Sequence, residues 1–176
     1  MKRLSVLLLV ALIFTGCAFS GTKMKEPVTF YYLRTQSDAN TYDDFYAEGI
    51  IGSETREAAG HREDLNYLLS VYFRGPLNSE FSSPFPMGCR ILETAQEDGN
   101  MTILLNPILA ETTDLEVTIA CACLAKTCME LTGADTVQIE SRDLDGKVLF
   151  SRTFTGENLF LNDDYTEPPE HTQNSQ

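Results

Sequence analysis

Apolar residues at helical spacing mark the clearest element of this chain. Within residues 63–74, apolar side chains recur at positions i, i+3, i+4 and i+7, and Gly75-Pro76 follows. This stripe predicts an amphipathic helix with one buried face, acidic residues in its first turn and Arg74 in its last. The Gly-Pro pair predicts the end of the helix, because glycine adopts a positive φ there and proline cannot continue it.

A second helix is predicted over residues 115–131, where apolar residues occupy almost every side. Thr113 and Glu116 form a capping-box pattern before it, and Thr132-Gly133 marks its end. A helix that is apolar all round is expected to lie between a sheet and another layer.

Short stretches with alternating or β-branched and aromatic residues predict the strands. Residues 28–33 are apolar on both faces and are expected in the middle of a sheet. Turn-forming residues at 97–100 and at Asp145-Gly146 predict two hairpins, with Val148, Phe150 and Phe154 on one side of the last strand. The predicted strands cover residues 28–33, 49–57, 90–96, 100–105, 136–141 and 147–154.

The first sixteen residues differ from the rest of the chain. Two basic residues precede an apolar stretch, residues 4–14, which is too short to cross about 30 Å of hydrocarbon as a permanent helix. Small residues then lead to Cys17. This pattern predicts a lipoprotein export signal over residues 1–16, with Cys17 as the lipid-bearing first residue of the mature protein. The alternative is an ordinary secretory signal cut after Ala18, which would discard Cys17.

The lipoprotein interpretation divides the remaining chain into three parts. Residues 17–26 are expected to form a polar tether, residues 27–155 the folded domain and residues 156–176 an acidic, disordered tail. Acyl chains of the palmitate type on Cys17 would hold the protein on the outer face of the cell membrane. About 160 residues would remain after cleavage, which suits a single core.

The chain is strongly acidic, with 26 Asp and Glu against 13 Lys and Arg and a net charge of −13. Loss of Lys2 and Arg3 with the signal would make the mature protein more negative still. Such a surface repels nucleic acid and anionic headgroups, so we expect neither as a direct ligand. Solubility explains the charge most simply, and a basic protein partner is the functional alternative.

The cysteines are predicted to be structural. On the second helix, the Cα atoms of Cys121 and Cys128 would lie about 10 Å apart, beyond the roughly 7 Å that a disulfide spans. Cys123 points away from both, so the three thiolates would not converge on one metal ion. We therefore expect buried, inert thiols, while pairing of Cys89 with one of them across the fold stays open.

No catalytic arrangement stands out, and we expect no enzymatic activity, metal or cofactor. His61, at a predicted helix start, and His171, in the tail, have no evident nucleophile partner. Residues 143–146 lack the ligands of a calcium loop and predict a hairpin turn. Two alternatives stay open: an envelope hydrolase that uses Glu63, Asp64 or a loop carboxylate, and a small-ligand carrier with an apolar pocket beside the second helix.

The order of the motifs resembles the GerMN domain of spore germination and sporulation lipoproteins, over residues 27–150. The most specific part is a helix that ends in Gly75-Pro76, followed after a short spacer by a turn containing Pro86 and Gly88 and then by a hairpin. Gly75 and Pro76 would end the helix, and Pro86 and Gly88 would aim the next strand. The matching segments are residues 28–32, Glu54-Thr55-Arg56, Leu68-Leu69, Arg74-Gly75-Pro76, Pro84-Phe85-Pro86-Met87-Gly88, Val137-Gln138-Ile139 and Asp145-Gly146.

The resemblance implies an α+β fold, in which two helices pack on a small mixed β-sheet, similar to ring-building domains of secretion and sporulation complexes. It also implies a single-copy domain with a binding or assembly role in the cell envelope and no known chemistry. The expected partners are the membrane, through the lipid on Cys17, and an envelope protein or further copies of the chain, through an exposed sheet edge or helix face. A role in sporulation or germination follows from the resemblance alone.

Overall fold

The structure, a computed structural model, describes residues 25–35, 49–157 and 159. The predicted export signal, Cys17 and His171 lie outside the described residues, as do most of the predicted tether and tail. The predictions made for them are therefore not addressed by the fold.

The described residues form seven strands, two α-helices and one short 3-10 helix, which confirms the α+β class with two helices. The strands divide between two small sheets. In chain order the elements are β1 (Pro27–Arg34), β2 (Ile51–Glu57), α1 (Leu65–Tyr72), β3 (Phe81–Ser82), β4 (Ile91–Glu97), β5 (Asn100–Leu105), the 3-10 helix (Pro107–Glu111), α2 (Asp114–Thr132), β6 (Thr136–Arg142) and β7 (Val148–Thr155).

The first sheet is antiparallel, with β1 between β2 and the two-residue β3, so the prediction of a central strand for β1 is confirmed. The second sheet has the order β4-β5-β6-β7, and it is mixed because β5 and β6 run parallel while the outer pairs are antiparallel. The parallel pair needs a crossover, which α2 provides. Helix α2 contacts β1 of the first sheet and β6 and β7 of the second, as expected for a helix that is apolar all round.

Both helices begin at side chains that cap them. The Asp64 carboxylate accepts the backbone N–H of Tyr67 at 3.0 Å, so α1 begins at Leu65 rather than at Glu63, and the predicted acidic first turn is wrong: Asp64 is the N-cap. At α2, the capping box between Thr113 and Glu116 is present as predicted. Each helix thereby satisfies backbone N–H groups that have no partner within the helix.

The edge of β1 that faces α2 is closed by buried side chains. The Thr127 hydroxyl accepts the backbone N–H of Tyr31 at 3.0 Å, and the Tyr72 hydroxyl donates to the backbone C=O of Tyr31 at 2.9 Å. The Tyr72 ring stacks on Tyr32 with ring centroids 4.9 Å apart. Thr127 and Tyr72 are almost fully buried, so these hydrogen bonds are shielded from water.

The two predicted hairpins form, and one detail of the second is corrected. Asp98 and Gly99 have φ of 50° and 77°, as a two-residue turn with both central residues at positive φ requires. In the second hairpin the Asp143 carboxylate accepts backbone N–H groups of the turn. Phe150 and Phe154 are buried, but a register shift next to Arg142 leaves Val148 46% exposed, so the prediction that it shares their side is wrong.

Candidate binding cleft

An open cleft of about 340 Å³ separates α1 from β4. The helix wall consists of Asn66, Leu69, Ser70 and Phe73, which recur at helical spacing, and the strand wall consists of residues 90–94. Both walls therefore mix apolar and polar side chains, with Leu69 and Phe73 on the helix and Ile91 and Leu92 on the strand. The cleft lies beside the first helix, whereas the pocket expected for a ligand carrier was placed beside the second.

The strand wall is an edge of the second sheet. Among the described residues, β4 pairs with β5 on one side only. Because the two-residue turn makes Glu97 and Asn100 a hydrogen-bonded pair, hydrogen bonding to β5 alternates along β4 from that point. Thr94 and Gln96 are the non-bonded positions, so their backbone N–H and C=O groups point to the open edge. The cleft thus contains backbone groups that are available to a further strand.

The helix wall is held in place by an ion pair from β2. The Arg56 guanidinium donates to the backbone C=O of Gly75 at 2.7 Å and pairs with the Glu54 carboxylate. Glu54 in turn accepts the backbone N–H groups of Leu77 and Asn78 at 3.0 and 3.1 Å. Gly75 has φ of 91°, which turns the chain out of α1 toward these partners. The Glu-x-Arg and Gly-Pro motifs of the sequence therefore meet in space.

The environment of Glu54 stabilises its charged form. Burial alone would raise the pKa of the Glu54 carboxyl, but hydrogen bonds from Arg56 and from the backbone of Asn78 and Leu77 outweigh it and lower the pKa below its ordinary value. The side chains of Glu54 and Arg56 are each only 10% exposed. The Arg56 guanidinium also lies 5.3 Å from the centre of the Phe30 ring. The polar groups of Glu54 and Arg56 bond to each other and to the backbone after α1. The cluster therefore holds that segment in place.

The turn before β4 sets the position and direction of the strand wall. Gly88 has φ of 86°, and the Pro86 C=O accepts the backbone N–H of Cys89 at 3.1 Å. The Asn106 side chain then donates to the Gly88 C=O at 2.9 Å and accepts the backbone N–H of Arg90 at 3.1 Å. Asn106 is buried, so these bonds fix the point at which β4 begins.

Phe85, from the same turn, connects the two walls. Its ring lies 4.7 Å from that of Phe73 and 6.0 Å from that of Tyr72, measured between ring centroids. Both contacts are with the C-terminal end of α1. The turn that aims β4 is therefore packed directly on the helix across the cleft, which sets the separation of the two walls.

The side chains considered for catalysis have structural surroundings. His61 stacks on Tyr67 with ring centroids 3.9 Å apart, and Asp64 caps α1, while Glu63 is exposed outside the helix. Each of these groups lies at the start of α1. The contacts described for His61 and Asp64 are thus a ring stack and a helix cap.

The four described cysteines are free, buried thiols, as predicted. Burial raises the pKa of Cys89 to about 11 and that of Cys121 to about 12. Burial also raises the pKa of the Cys123 and Cys128 thiols. A thiol must lose its proton to act as a nucleophile or metal ligand, so these environments favour the unreactive form.

Neither a metal site nor a membrane-spanning helix is found in the described part of the chain. No group of three or more His, Cys, Asp or Glu side chains lies close enough together there to hold an ion. None of the helices within residues 25–35, 49–157 and 159 combines the length and the apolar character needed to cross a bilayer.

Comparison with known proteins gives a match among solved structures but none among family models or curated proteins. No protein-family model matches the chain, and no curated protein matches it. Among solved structures, a crystal structure of a candidate lipoprotein from Clostridium perfringens is similar, with a TM-score of 0.44 and 14% sequence identity over 74% of this chain and 87% of that one. The resemblance to the GerMN domain therefore stays a prediction.

Proposed function

We propose that this chain is an extracytoplasmic lipoprotein that acts by binding another protein of the cell envelope and carries out no chemistry itself. The observation that carries the proposal is the open cleft between α1 and β4. The apolar side chains Leu69 and Phe73 on its helix wall and its free strand edge are both features that proteins use to recognise other polypeptides. Its one described serine, Ser70, donates its hydroxyl to the backbone C=O of Tyr67 rather than to a base.

The anchor is the second part of the proposal. The export signal and Cys17 would place the domain outside the cytoplasmic membrane, with acyl chains on Cys17 as the attachment. Mass spectrometry of the native protein tests this part. We expect a mature chain that starts at an acylated Cys17, and a chain that starts beyond Cys17 without fatty acid would contradict it.

The resemblance of the sequence to the GerMN domain, if it holds for the fold, would fit a role in assembly. The four motif residues inferred from the resemblance lie next to the cleft: Gly75 and Pro76 follow α1, and Pro86 and Gly88 precede β4. Gly75, Pro86 and Gly88 take part in the hydrogen bonds that position the two walls. We infer that the motif is kept together to maintain this cleft, and that a sporulation or germination complex is one setting in which it works.

Cross-linking in intact cells tests the binding role. A photo-reactive amino acid at Ser70, on the helix wall, is expected to form a covalent adduct with a partner protein. The matched control is the same amino acid at Leu144, which is fully exposed in the turn between β6 and β7. An adduct at Ser70 that is absent at Leu144 supports the proposal. Adducts at neither position, in a protein that is correctly exported, would contradict it.

A further inference from the structure

We propose that the partner adds an extended segment to the open edge of β4 and that this segment alternates basic with apolar residues. The inference rests on the proposed function, because it specifies how the cleft recognises a protein. It depends on three observations: the free backbone groups of β4, the different chemistry of its two faces, and the charge of the chain.

The backbone of β4 is prepared for strand addition. Thr94 and Gln96 direct their N–H and C=O groups away from β5, as the pairing with β5 requires. The cleft keeps α1 clear of this edge over residues 90–94. An incoming strand would form the same ladder of hydrogen bonds that β5 forms on the other side, which gives affinity without a fixed sequence.

The two faces of β4 call for two kinds of side chain on that strand. Ile91 and Thr94 lie opposite the buried residues Leu105 and Ile103 of β5, so they share the inner face of the sheet. Inward side chains of an added strand would enter the cleft between this face and α1. In the cleft, these inward side chains would contact the apolar side chains Leu69, Phe73 and Ile91.

The outer face of β4 is acidic. Glu93 and Glu97 are both exposed and lie on the face opposite to Thr94, since they pair with Leu104 and Asn100. Outward side chains of an added strand would stand beside these carboxylates at the distance of cross-strand neighbours. Lysine or arginine at those positions would neutralise the two charges. The pattern of the expected ligand is therefore basic outward and apolar inward, with a period of two.

Charge also decides between this partner and a second copy of the chain. Pairing of β4 with β4 of another molecule would bring Glu93 and Glu97 of both copies to one short ribbon, and like charges opposite each other destabilise a strand pair. The whole chain carries −13, which adds repulsion between copies at a distance. A basic segment is attracted both by Glu93 and Glu97 and by the net negative charge of the chain.

The test uses the full-length protein in detergent micelles and a labelled peptide that alternates lysine and valine. Fluorescence anisotropy measures its affinity, and two control peptides accompany it: one with glutamate in place of lysine, and one with a central proline. We expect the lysine peptide to bind at least about tenfold more tightly than either control, and its affinity to fall as salt is added. Equal binding of the glutamate peptide would overturn the charge pattern.

Variants of the protein test the strand pairing itself. Thr94→Pro removes the outward N–H of an edge strand, a position where proline is tolerated, and Thr94→Ala is the matched control that keeps the N–H. We expect binding of the lysine peptide to weaken about tenfold in Thr94→Pro and less than twofold in Thr94→Ala. Gln96→Pro is the second variant, to be used if the circular dichroism of Thr94→Pro shows loss of fold. Equal affinity in the proline and alanine variants would overturn strand addition.

The remaining outcomes separate this inference from the function on which it rests. If the Ser70 adduct forms in cells as strongly in Thr94→Pro as in the wild type, the cleft binds a protein but strand addition is wrong. If Ser70 forms no adduct and no peptide binds, both proposals fail. Concentration-dependent dimerisation that Thr94→Pro abolishes would identify a second copy as the occupant and overturn the basic partner.

Discussion

Strands β1 and β4 each present an edge that pairs with no other strand over most of its length in the described residues, and the protein treats these edges differently. On β1, strand β3 covers only Leu33 and Arg34, and the backbone of Tyr31 is then satisfied by Thr127 and Tyr72. On β4, the corresponding groups face an open cleft. One edge is closed by buried side chains from the helices, and the other is left free beside a helix.

The difference indicates what each edge is for. An unpaired edge is a template for unwanted pairing, so proteins close it or protect it. Thr127 and Tyr72 close the β1 edge with hydrogen bonds that are shielded from water. Exposed Glu93 and Glu97 protect the β4 edge by charge, which discourages copies of the same chain and still admits a basic strand. Closure favours stability, whereas protection by charge leaves the edge available to a partner.

The largest effect on stability is expected when the closed edge is broken. Thr127→Val preserves the shape of the side chain but leaves the N–H of Tyr31 without its acceptor. We expect the free energy of unfolding to fall by about 1–3 kcal/mol, the cost of an unsatisfied buried donor. Urea denaturation followed by circular dichroism measures it.

The control for that variant is Thr118→Val on the same helix. The Thr118 hydroxyl donates to the backbone C=O of Asp114 near the protein surface, where water can replace it. We expect a change within about 0.5 kcal/mol. Equal losses in the two variants would mean that Thr127 contributes as an ordinary helix residue and that the β1 edge is not closed by its hydroxyl.

The sequence predicts the features that depend on neighbours in the chain. The capping box of Thr113 and Glu116, the turn at Asp98-Gly99 and the positive φ of Gly75 after α1 each rest on the conformational preferences of a few adjacent residues. The 3-10 helix over Pro107–Glu111 was not predicted, because five residues are too few to show a period. The local sequence signal for such a short helix is the proline at its start.

Neither the closed edge of β1 nor the candidate cleft could be predicted, since both depend on contacts between distant residues. Thr127 is 96 positions from Tyr31, and its hydroxyl has no special context in a helix that is apolar all round. Arg56 bonds to the Gly75 carbonyl across 19 positions. Both residues belong to motifs of the resemblance, but the sequence does not show that they meet. The sequence indicates that such segments matter, but only the tertiary fold brings them together.

Low pH is expected to destabilise the Leu77–Asn78 segment, which Glu54 holds, before it destabilises the closed edge of β1. The folded pKa of Glu54 lies below its ordinary value near 4.5, so its stabilisation is complete above that pH and is lost as the pH falls through the folded pKa. Hydrogen exchange at decreasing pH, corrected for intrinsic rates, is expected to show earlier loss of protection at Leu77 and Asn78 than at Tyr31.

Glu54→Gln is the variant that checks this cause. It removes the titrating group, so the difference in protection between the Leu77–Asn78 segment and Tyr31 should no longer depend on pH below about 4.5. The hydroxyls at the closed edge remain protonated throughout this range, since burial raises the pKa of Tyr72. If the pH dependence is the same in the variant and the wild type, another carboxylate controls the loop.

Thiol modification compares a cysteine at the start of β4 with a fully buried one on α2. Cys89 lies at the start of β4 with 9% of its surface exposed, whereas Cys121 on α2 is fully buried. Burial raises the pKa of both thiols, so access to the reagent is what separates them. We expect iodoacetamide to modify Cys89 faster than Cys121, measured by peptide mass spectrometry. Similar rates would mean that both thiols react only after the whole domain unfolds.

The smallest effect on stability is expected at the open edge itself. Thr94 lies on the strand wall, and its outward backbone groups have water as their partner when no ligand is bound, so truncation of its side chain breaks no bond that holds the fold. We expect Thr94→Ala to change the free energy of unfolding by less than about 0.5 kcal/mol, well below the loss in Thr127→Val. Parallel urea titrations of the two variants measure the contrast. A loss in Thr94→Ala as large as that in Thr127→Val would show that the β4 edge is part of the structural core, and the distinction between a closed edge and an available one would then be lost.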